Sequence, residues 1–148
     1  MGWYHTALIC LNGHVITDRL GSGPDSASKF CKKCGAATVS KCQGCNTGIQ
    51  GDYEVEGVAV IGFGMRSAPK FCHNCGKPYP WTAARIEAAK TLADEIDELS
   101  ESEKLLLKSS IDDIVTDSPK TDVGIVRFKK YASKGGEERG AMLPERRV

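Results

Sequence analysis

Four short segments decide how this chain folds: Cys10-Leu-Asn-Gly-His14, Cys31-Lys-Lys-Cys34-Gly35, Cys42-Gln-Gly-Cys45 and Cys72-His-Asn-Cys75-Gly76. Two cysteines separated by two residues lie on one tight turn, and two such turns supply the four ligands of a tetrahedral zinc site. The sequence contains seven cysteines, one fewer than two complete sites need. His14 stands four residues after Cys10 and supplies the eighth ligand. We therefore predict two metal sites with four protein ligands each.

The lengths of the connecting segments favour one assignment of these ligands. Only seven residues separate Cys34 from Cys42, whereas the segments after His14 and after Cys45 are long enough to return the chain. We predict a first site formed by Cys10, His14, Cys31 and Cys34, and a second site formed by Cys42, Cys45, Cys72 and Cys75. A second assignment remains open, in which Cys31, Cys34, Cys42 and Cys45 form one site and Cys10, His14, Cys72 and Cys75 form the other.

Zinc is the metal that this ligand set favours. Structural disulfides require an oxidising compartment, and the opening segment Met1-Gly-Trp-Tyr-His5 has neither the basic region nor the apolar run of a secretory signal. A thioredoxin-like redox motif has one such cysteine pair, whereas this chain has three. An iron–sulfur cluster is a weaker alternative, because a histidine stands among the thiolates. We expect a cytoplasmic protein with two structural zinc ions, since four protein ligands leave no open coordination position.

Charge is distributed unevenly along a chain of otherwise ordinary composition. The 148 residues are 41% hydrophobic and 26% charged, with a net charge of +1. Residues 1–82 carry eight basic and five acidic side chains, residues 83–117 carry four and ten, and residues 118–148 carry eight and four. No apolar run approaches the roughly 20 residues that cross a bilayer. We predict a metal-binding region at residues 1–82, a helical segment at residues 83–134 and a disordered tail at residues 135–148.

The first region has the patterns of short antiparallel strands. Residues 3–9 are rich in β-forming side chains, Asn12-Gly13 is a strong hairpin signal, and Val15-Ile-Thr17 predicts the returning strand. Residues 51–57 alternate polar and apolar side chains, and the β-rich residues 58–63 predict the second strand of another hairpin. The exit segment Lys77-Pro-Tyr-Pro-Trp81 contains two prolines, from which we predict neither ladder nor helix.

Helical periodicity begins after this exit. Apolar residues spaced by three or four predict a helix over residues 83–99, and Ser100-Glu-Ser-Glu103 is a capping box that starts a second helix. Ser118-Pro119 has the pattern of a third helix start, which predicts a helix over residues 119–133. The stretch from Val123 to Phe128 also fits a short strand, and both interpretations remain open. The fold class is therefore a small metal-stabilised α+β protein, with short antiparallel hairpins followed by a helical hairpin or three helices.

Several motifs resemble known bacterial proteins. The Cys10 to His14 segment followed by Phe30-Cys-Lys-Lys-Cys-Gly35 resembles double zinc ribbons. Four further segments together resemble a family of small uncharacterised bacterial proteins catalogued as a domain of unknown function: Trp3-Tyr-His-Thr-Ala7, Gly51-Asp-Tyr53, Glu56-Gly-Val58 and Phe71 to Trp81. The resemblance is firm over residues 1–82 and loose over the helices. It implies two zinc sites on the eight residues named above and no particular activity.

The function that these patterns favour is a non-catalytic protein-interaction adaptor. His5 and His73 have no nucleophile near them in the sequence, so we do not predict an enzyme or a small-molecule substrate. We expect a protein partner or self-association through the helices. Nucleic-acid binding is the alternative, because lysines cluster around the cysteine turns and aromatic side chains could stack on bases. The residues concerned are Lys29, Lys32, Lys33, Lys41, Lys70, Lys77, Trp3, Tyr53, Phe63 and Tyr79, with Arg127, Lys129, Lys130 and Lys134 as a further basic stripe.

Overall fold

The computed structural model describes residues 1–24, 27–59, 61 and 64–136. The α+β fold class is confirmed: short antiparallel strands occupy the first part of the chain and three helices follow. The chain divides into two compact units, Met1–Ala83 and Ala84–Val148, which we describe separately. No helix within the described residues is long and apolar enough to cross a membrane.

Five strands form two small sheets in the first unit. The strands are β1 (Gly2–Thr6), β2 (Leu8–Cys10), β3 (Val15–Thr17), β4 (Thr38–Val39) and β5 (Gln50–Val55). β1 pairs with β5, and the second sheet has the order β3-β2-β4, with every pairing antiparallel. The single strand predicted over residues 3–9 is interrupted at Ala7. Its N–H donates to the carbonyl of Ile49 at 2.8 Å, so the chain leaves one sheet there and enters the other.

The second predicted hairpin is wrong in its pairing. β5 ends at Val55, and Gly57 turns the chain with a φ of 76°. Residues 58, 59 and 61 are not in a strand, while Val60, Gly62 and Phe63 lie outside the described residues. β5 pairs with β1 instead, because the alternating pattern of residues 51–57 is matched by the equally β-rich start of the chain.

The core of the first unit is small and contains metal-ligand candidates. Its buried residues are Ala7, Ile9, Cys42, Ile49, Cys72, Tyr79 and Trp81. The rings of Tyr79 and Trp81 are stacked with centroids 4.8 Å apart, and the Trp81 Nε1–H donates to the carbonyl of Pro69 at 2.8 Å. A core of this size stabilises a domain only weakly without metals or disulfides.

Three helices follow: α1 (Pro80–Asp94), α2 (Glu101–Val115) and α3 (Thr121–Gly136). α1 begins three residues before the predicted start, because Pro80 takes the first helical position, where its missing N–H costs no hydrogen bond. The prediction that the Lys77 to Trp81 exit excludes a helix is therefore wrong. α1 ends at Asp94, five residues before the predicted end at residue 99, and residues 95–99 form turns that lead to the N-cap Ser100. The predicted capping box is confirmed: Ser100 Oγ accepts from the Glu103 N–H, and Glu103 accepts from the Ser100 N–H.

The second unit is held by a small apolar cluster and by ion pairs between its helices. Ala93, Leu99, Leu107 and Tyr131 are buried together, with Ile96 against them. Lys90 pairs with Asp112, Lys108 with Asp94, and Lys134 with Glu103.

The stretch from Val123 to Phe128 is helical, so the strand interpretation is wrong. A Cβ on Gly124 would lie 3.1 Å from the Ser110 carbonyl oxygen of α2. The absence of a side chain at this position permits the close approach of α3 to α2. Gly135 and Gly136 belong to α3 and not to the predicted tail. The remainder of that tail, residues 137–148, lies outside the described residues.

Candidate metal centres

The first cluster consists of Cys10, His14, Cys31 and Cys34. Cys10 ends β2, His14 precedes β3, and the two remaining cysteines lie on the turn before β4. The Cys10 Sγ lies 3.4 Å from His14 Nδ1 and 3.8 Å from Cys34 Sγ, and the Cys31 Sγ lies 3.7 Å from the same histidine nitrogen. All four ligand atoms lie within 4.8 Å of one another. These are the four residues that the connection lengths favoured for the first site.

The second cluster consists of Cys42, Cys45, Cys72 and Cys75. The Cys42 and Cys75 sulfurs are 3.7 Å apart, and the Cys45 and Cys72 sulfurs are 3.6 Å apart. A disulfide would require about 2.05 Å, and all seven cysteines are free. A tetrahedron with metal–sulfur bonds of about 2.3 Å has edges of roughly 3.8 Å, so the observed spacings fit a metal ion at the centre. The alternative assignment, which joined Cys31, Cys34, Cys42 and Cys45, is wrong.

The three Cys-x-x-Cys turns share one local structure. The carbonyl of the first cysteine accepts from the residue after the second cysteine, at 2.7 Å for Gly35 and 2.9 Å for Asn46 and Gly76. Those three residues have φ between 62° and 74°, the left-handed region that glycine and asparagine tolerate. An isolated antiparallel bridge closes each turn: Phe30 with Ala37, Lys41 with Gly48, and Phe71 with Pro78. The repeated local sequence therefore builds three equivalent ligand pairs.

Each cluster has one asparagine whose side chain donates a hydrogen bond from one turn to a cysteine on the facing turn. The sequence patterns did not predict either asparagine. Asn12 Nδ2 donates to Cys34 Sγ at 3.4 Å, and Asn74 Nδ2 donates to Cys45 Sγ at 3.6 Å. Each asparagine stands two residues after the first ligand of its own turn and reaches the second cysteine of the facing turn. This repeated position in Cys10-Leu-Asn and Cys72-His-Asn is the signal that could have identified them. Such donors orient ligands and stabilise their thiolate form.

Hydrogen bonds lower the pKa of one thiol in the first cluster, Cys34, and of two thiols in the second cluster, Cys45 and Cys72. The backbone amide of Ala36, aided by Asn12, lowers the pKa of Cys34 to about 6. The hydroxyl and the backbone amide of Thr47, together with Asn74, lower the pKa of Cys45 to about 5. The backbone amide of Lys77 acts in the same direction on Cys75, but burial and the three neighbouring thiols outweigh it and raise its pKa to about 11. Four thiols this close cannot all ionise alone, and a bound cation would relieve their repulsion.

The buried hydroxyl of Tyr79 supports the same interpretation. Among the described residues it has no hydrogen-bond partner of standard geometry, although Tyr79 is only 1% exposed. Burial raises its pKa, and the nearby thiols of Cys72, Cys42 and Cys45 raise it further. A buried donor without a partner is costly. A thiolate of a metal-loaded second cluster would be a stronger acceptor for it than a neutral thiol.

We expect that Tyr79→Phe retains both metal ions but loses the ion of the second cluster about tenfold faster to a competing chelator. The ring and its stacking on Trp81 remain, so only the hydroxyl is removed, and loss of such outer contacts typically weakens metal sites by about 10- to 100-fold. The measurement is the rate of metal transfer to a coloured chelator. Tyr53→Phe is the matched control, because Tyr53 lies on β5, is about half exposed and belongs to neither the core nor the clusters. Equal transfer rates for Tyr79→Phe and the wild-type chain would contradict this role.

Other residues predicted from the sequence lie outside the two clusters. His5 Nε2 contacts the Glu54 carboxylate at 2.5 Å, and Arg19 bridges Glu54 and Asp52. His73 is exposed between two ligands of the second cluster. The prediction that Tyr79 offers a stacking ring is wrong, because its side chain is buried in the core. Phe63, a second predicted stacking ring, lies outside the described residues.

Comparisons with known proteins give a family but no function. Residues 3–143 match the family model described as an uncharacterised protein conserved in bacteria (DUF2321). A search of curated proteins and a search of solved structures both gave no match. The arguments for function therefore come from this chain's own residues.

Proposed function

We propose that this chain, which belongs to the DUF2321 family of uncharacterised proteins conserved in bacteria, is a protein-interaction adaptor built on two structural zinc ions. The observation that carries the proposal is that both four-residue clusters are complete, with every ligand supplied by the protein. Catalytic zinc sites usually have three protein ligands and one open position for water or substrate. Two closed sites supply folding energy instead, and the first unit has little other core.

Zinc fits these donors better than the competing metals. Thiolate and imidazole ligands in a tetrahedral arrangement are typical of structural zinc, whereas calcium and magnesium require oxygen ligands. Iron–sulfur clusters use four cysteines in most cases, and the first cluster contains His14. The paired turns around each cluster support a double zinc ribbon. We infer that the first cluster holds one ion with three thiolates and one imidazole, and that the second holds one ion with four thiolates.

An interaction role is supported by apolar side chains that the fold leaves exposed. Trp3, Tyr4 and Tyr53 lie on the two-stranded sheet and are each about half exposed. Tyr4 and Tyr53 face each other across the strands, with ring centroids 4.8 Å apart. In the helical unit, Leu105 and Val126 are each 66% exposed. Exposed aromatic and aliphatic side chains of this size are enriched where proteins bind partners.

The zinc assignment is tested by elemental analysis of the purified chain. We expect two zinc ions per chain, and a cobalt-substituted sample should show the absorption bands of tetrahedral cobalt with thiolate ligands. Fewer than two bound metals, or iron with labile sulfide, would contradict the zinc assignment.

The adaptor assignment is tested by in-cell crosslinking from photoreactive residues in place of Tyr4 and Leu105, with exposed Lys120 as a control position. Absence of any protein crosslink above that control would contradict it.

Nucleic-acid binding is the second candidate. Its support is that Lys29, Lys32, Lys33, Lys41, Lys70 and Lys77 lie around the cysteine turns, most of them exposed. Binding that depends on phosphate contacts weakens steeply with salt. Titration of single-stranded and double-stranded oligonucleotides over a salt series decides between this candidate and the adaptor.

A further inference from the structure

We propose that Cys75 is the reactive sulfur of the second cluster, a modification site at which hydrogen peroxide forms a disulfide with Cys42 and thereby releases the bound ion. This inference rests on the zinc occupancy proposed above and adds a reactivity that an adaptor does not require. The observation that carries it is a missing hydrogen-bond donor at Gly44, in a cluster whose facing turn has such a donor.

The two turns of the second cluster differ at their third residue. Asn74, the third residue of its turn, donates to the Cys45 sulfur of the facing turn at 3.6 Å. Gly44 is the third residue of that facing turn. A Cβ on Gly44 would lie 3.7 Å from the Cys75 sulfur. A side chain at position 44 would therefore reach Cys75 as Asn74 reaches Cys45, and glycine leaves this contact unmade.

Cys75 is consequently the most accessible nucleophile of its cluster. It is exposed, whereas Cys42 and Cys72 are buried and Cys45 is partly buried. Its sulfur accepts from the backbone amide of Lys77, and among the described residues no side-chain amide donates to it. A donated hydrogen bond withdraws charge from a thiolate and weakens it as a nucleophile. In the metal-loaded cluster the Cys75 thiolate therefore combines exposure with a high electron density.

A positive charge lies next to this sulfur. The Lys77 Nζ lies 3.6 Å from the position that the Gly44 Cβ would occupy, the same position from which the Cys75 sulfur lies 3.7 Å. Reactive cysteines occur in partly exposed sites with positive charge nearby. An ammonium group at this position also stabilises the hydroxide that leaves when a thiolate attacks peroxide.

The first cluster lacks this combination. Its exposed cysteine is Cys34, and the Asn12 side chain donates to that sulfur at 3.4 Å. His14 takes the place of a fourth thiolate, so the loaded first cluster carries one negative charge fewer than the second. Both differences make its sulfurs weaker nucleophiles. We therefore expect peroxide to react with the second cluster first.

The reaction has two steps. The Cys75 thiolate attacks one oxygen of hydrogen peroxide, the O–O bond breaks and hydroxide leaves, so that the sulfur is oxidised to a sulfenic acid. The Cys42 thiolate, whose sulfur is 3.7 Å away, attacks this sulfur, forms the S–S bond and displaces a second hydroxide. Both hydroxides take up protons from solvent and become water. The two sulfurs lose the electron pair that the peroxide gains, and the cluster retains too few thiolates to hold its ion.

The experiment uses the full-length chain after elemental analysis has shown two zinc ions per chain. Hydrogen peroxide is added without a reductant, and a coloured chelator reports the rate of zinc release. Dimedone labelling and peptide mass spectrometry identify the oxidised sulfur. We expect release of one zinc ion, a sulfenic acid on Cys75 when dimedone is present, and a disulfide between Cys42 and Cys75 when it is absent. Cys34 should stay reduced.

Two variants of Gly44 test the missing donor while all eight ligands remain. Gly44→Asn should slow zinc release at least threefold, because its amide can donate to Cys75. Gly44→Ala is the matched control, which adds the Cβ without a donor and should change the rate less than twofold. Gly44 does not have a positive φ. The added Cβ would lie 2.9 Å from Cδ of Lys77, a flexible side chain that can shift, so both variants should fold.

A variant of the first cluster tests the same argument in reverse. Asn12→Ala removes the side-chain donor to Cys34 and should raise the rate of Cys34 oxidation at least threefold. The rate of Cys75 oxidation should not change.

Three outcomes would overturn the inference: a first sulfenic acid on a cysteine other than Cys75, equal slowing by Gly44→Asn and Gly44→Ala, or release of both zinc ions at the same rate. A chain that is purified with fewer than two zinc ions would contradict the zinc assignment itself. A two-zinc chain in which Cys75 does not react would reject only the reactive site, and the crosslinking test of the adaptor function would be unaffected.

Discussion

Cys72→Ser is expected to leave at most one metal ion per chain and to unfold the first unit. Cys72 is 2% exposed, its sulfur lies 3.6 Å from Cys45, and it packs in the same core as Ile49 and Trp81. Structural zinc sites contribute roughly 10 to 16 kcal/mol of binding free energy, which is available only to the folded chain. Folded domains have net stabilities of about 5 to 15 kcal/mol, so loss of one ion is enough to reverse the equilibrium.

Metal content by elemental analysis and amide dispersion by NMR measure this effect. Signals from residues 1–83 should collapse to the unfolded range, while helical signals from α2 and α3 remain. His73→Ala is the matched control, because His73 occupies the same turn, is exposed and belongs to neither cluster. It should retain two metals and full dispersion.

A second measurement separates the effect of losing the metal ion from the effect of replacing the Cys72 sulfur by an oxygen. Treatment of the wild-type chain with a strong zinc chelator should reproduce the spectrum of Cys72→Ser. Added zinc should restore the dispersed signals of the wild-type chain but not those of Cys72→Ser. If the metal-free wild-type chain keeps its dispersed signals, the ions do not hold this unit together.

The grouping of the eight candidate ligands was accessible from the sequence because it depends on chain connectivity. The stretch between Cys34 and Cys42 is too short to return to the same site, and the three turns repeat one local pattern. Local rules were sufficient for the capping box at Ser100 as well, since its partner Glu103 is only three residues away. Patterns of this kind act within a few residues and do not depend on the tertiary fold.

Features that depend on distant contacts were not accessible in this way. The break at Ala7 arises because its amide meets Ile49, 42 residues further along the chain. Likewise, the exit segment appeared irregular because of its prolines, yet Tyr79 and Trp81 are its most buried residues. Their burial follows from packing against the second cluster, and no periodicity in five residues indicates this. Tertiary packing therefore decided the positions at which local propensity failed.

Trp81→Ala is expected to destabilise the metal-loaded first unit by about 3 to 5 kcal/mol, the usual cost of removing a large buried aromatic side chain. Trp81 is 2% exposed and stacks on Tyr79, and its Nε1–H satisfies the carbonyl of Pro69. Its side chain also packs on Gly13, where a Cβ would lie 3.1 Å from it. Gly13 lies in the loop between two ligands of the first cluster, so the variant removes support from both metal sites.

Chemical denaturation at saturating zinc measures the loss, with near-ultraviolet circular dichroism as the signal because the variant changes the tryptophan fluorescence. Trp81→Phe should cost about 1 to 3 kcal/mol, since it keeps an aromatic ring against Tyr79 but leaves the Pro69 carbonyl without its donor. Trp3→Ala is the control for loss of an indole at an exposed position and should change stability by less than about 1 kcal/mol. If Trp81→Ala were no more costly than Trp3→Ala, the stacked pair would not be the support that joins the two clusters. The loss of stability should be largest for Trp81→Ala, smaller for Trp81→Phe and smallest for Trp3→Ala, because each change in that order removes less buried contact.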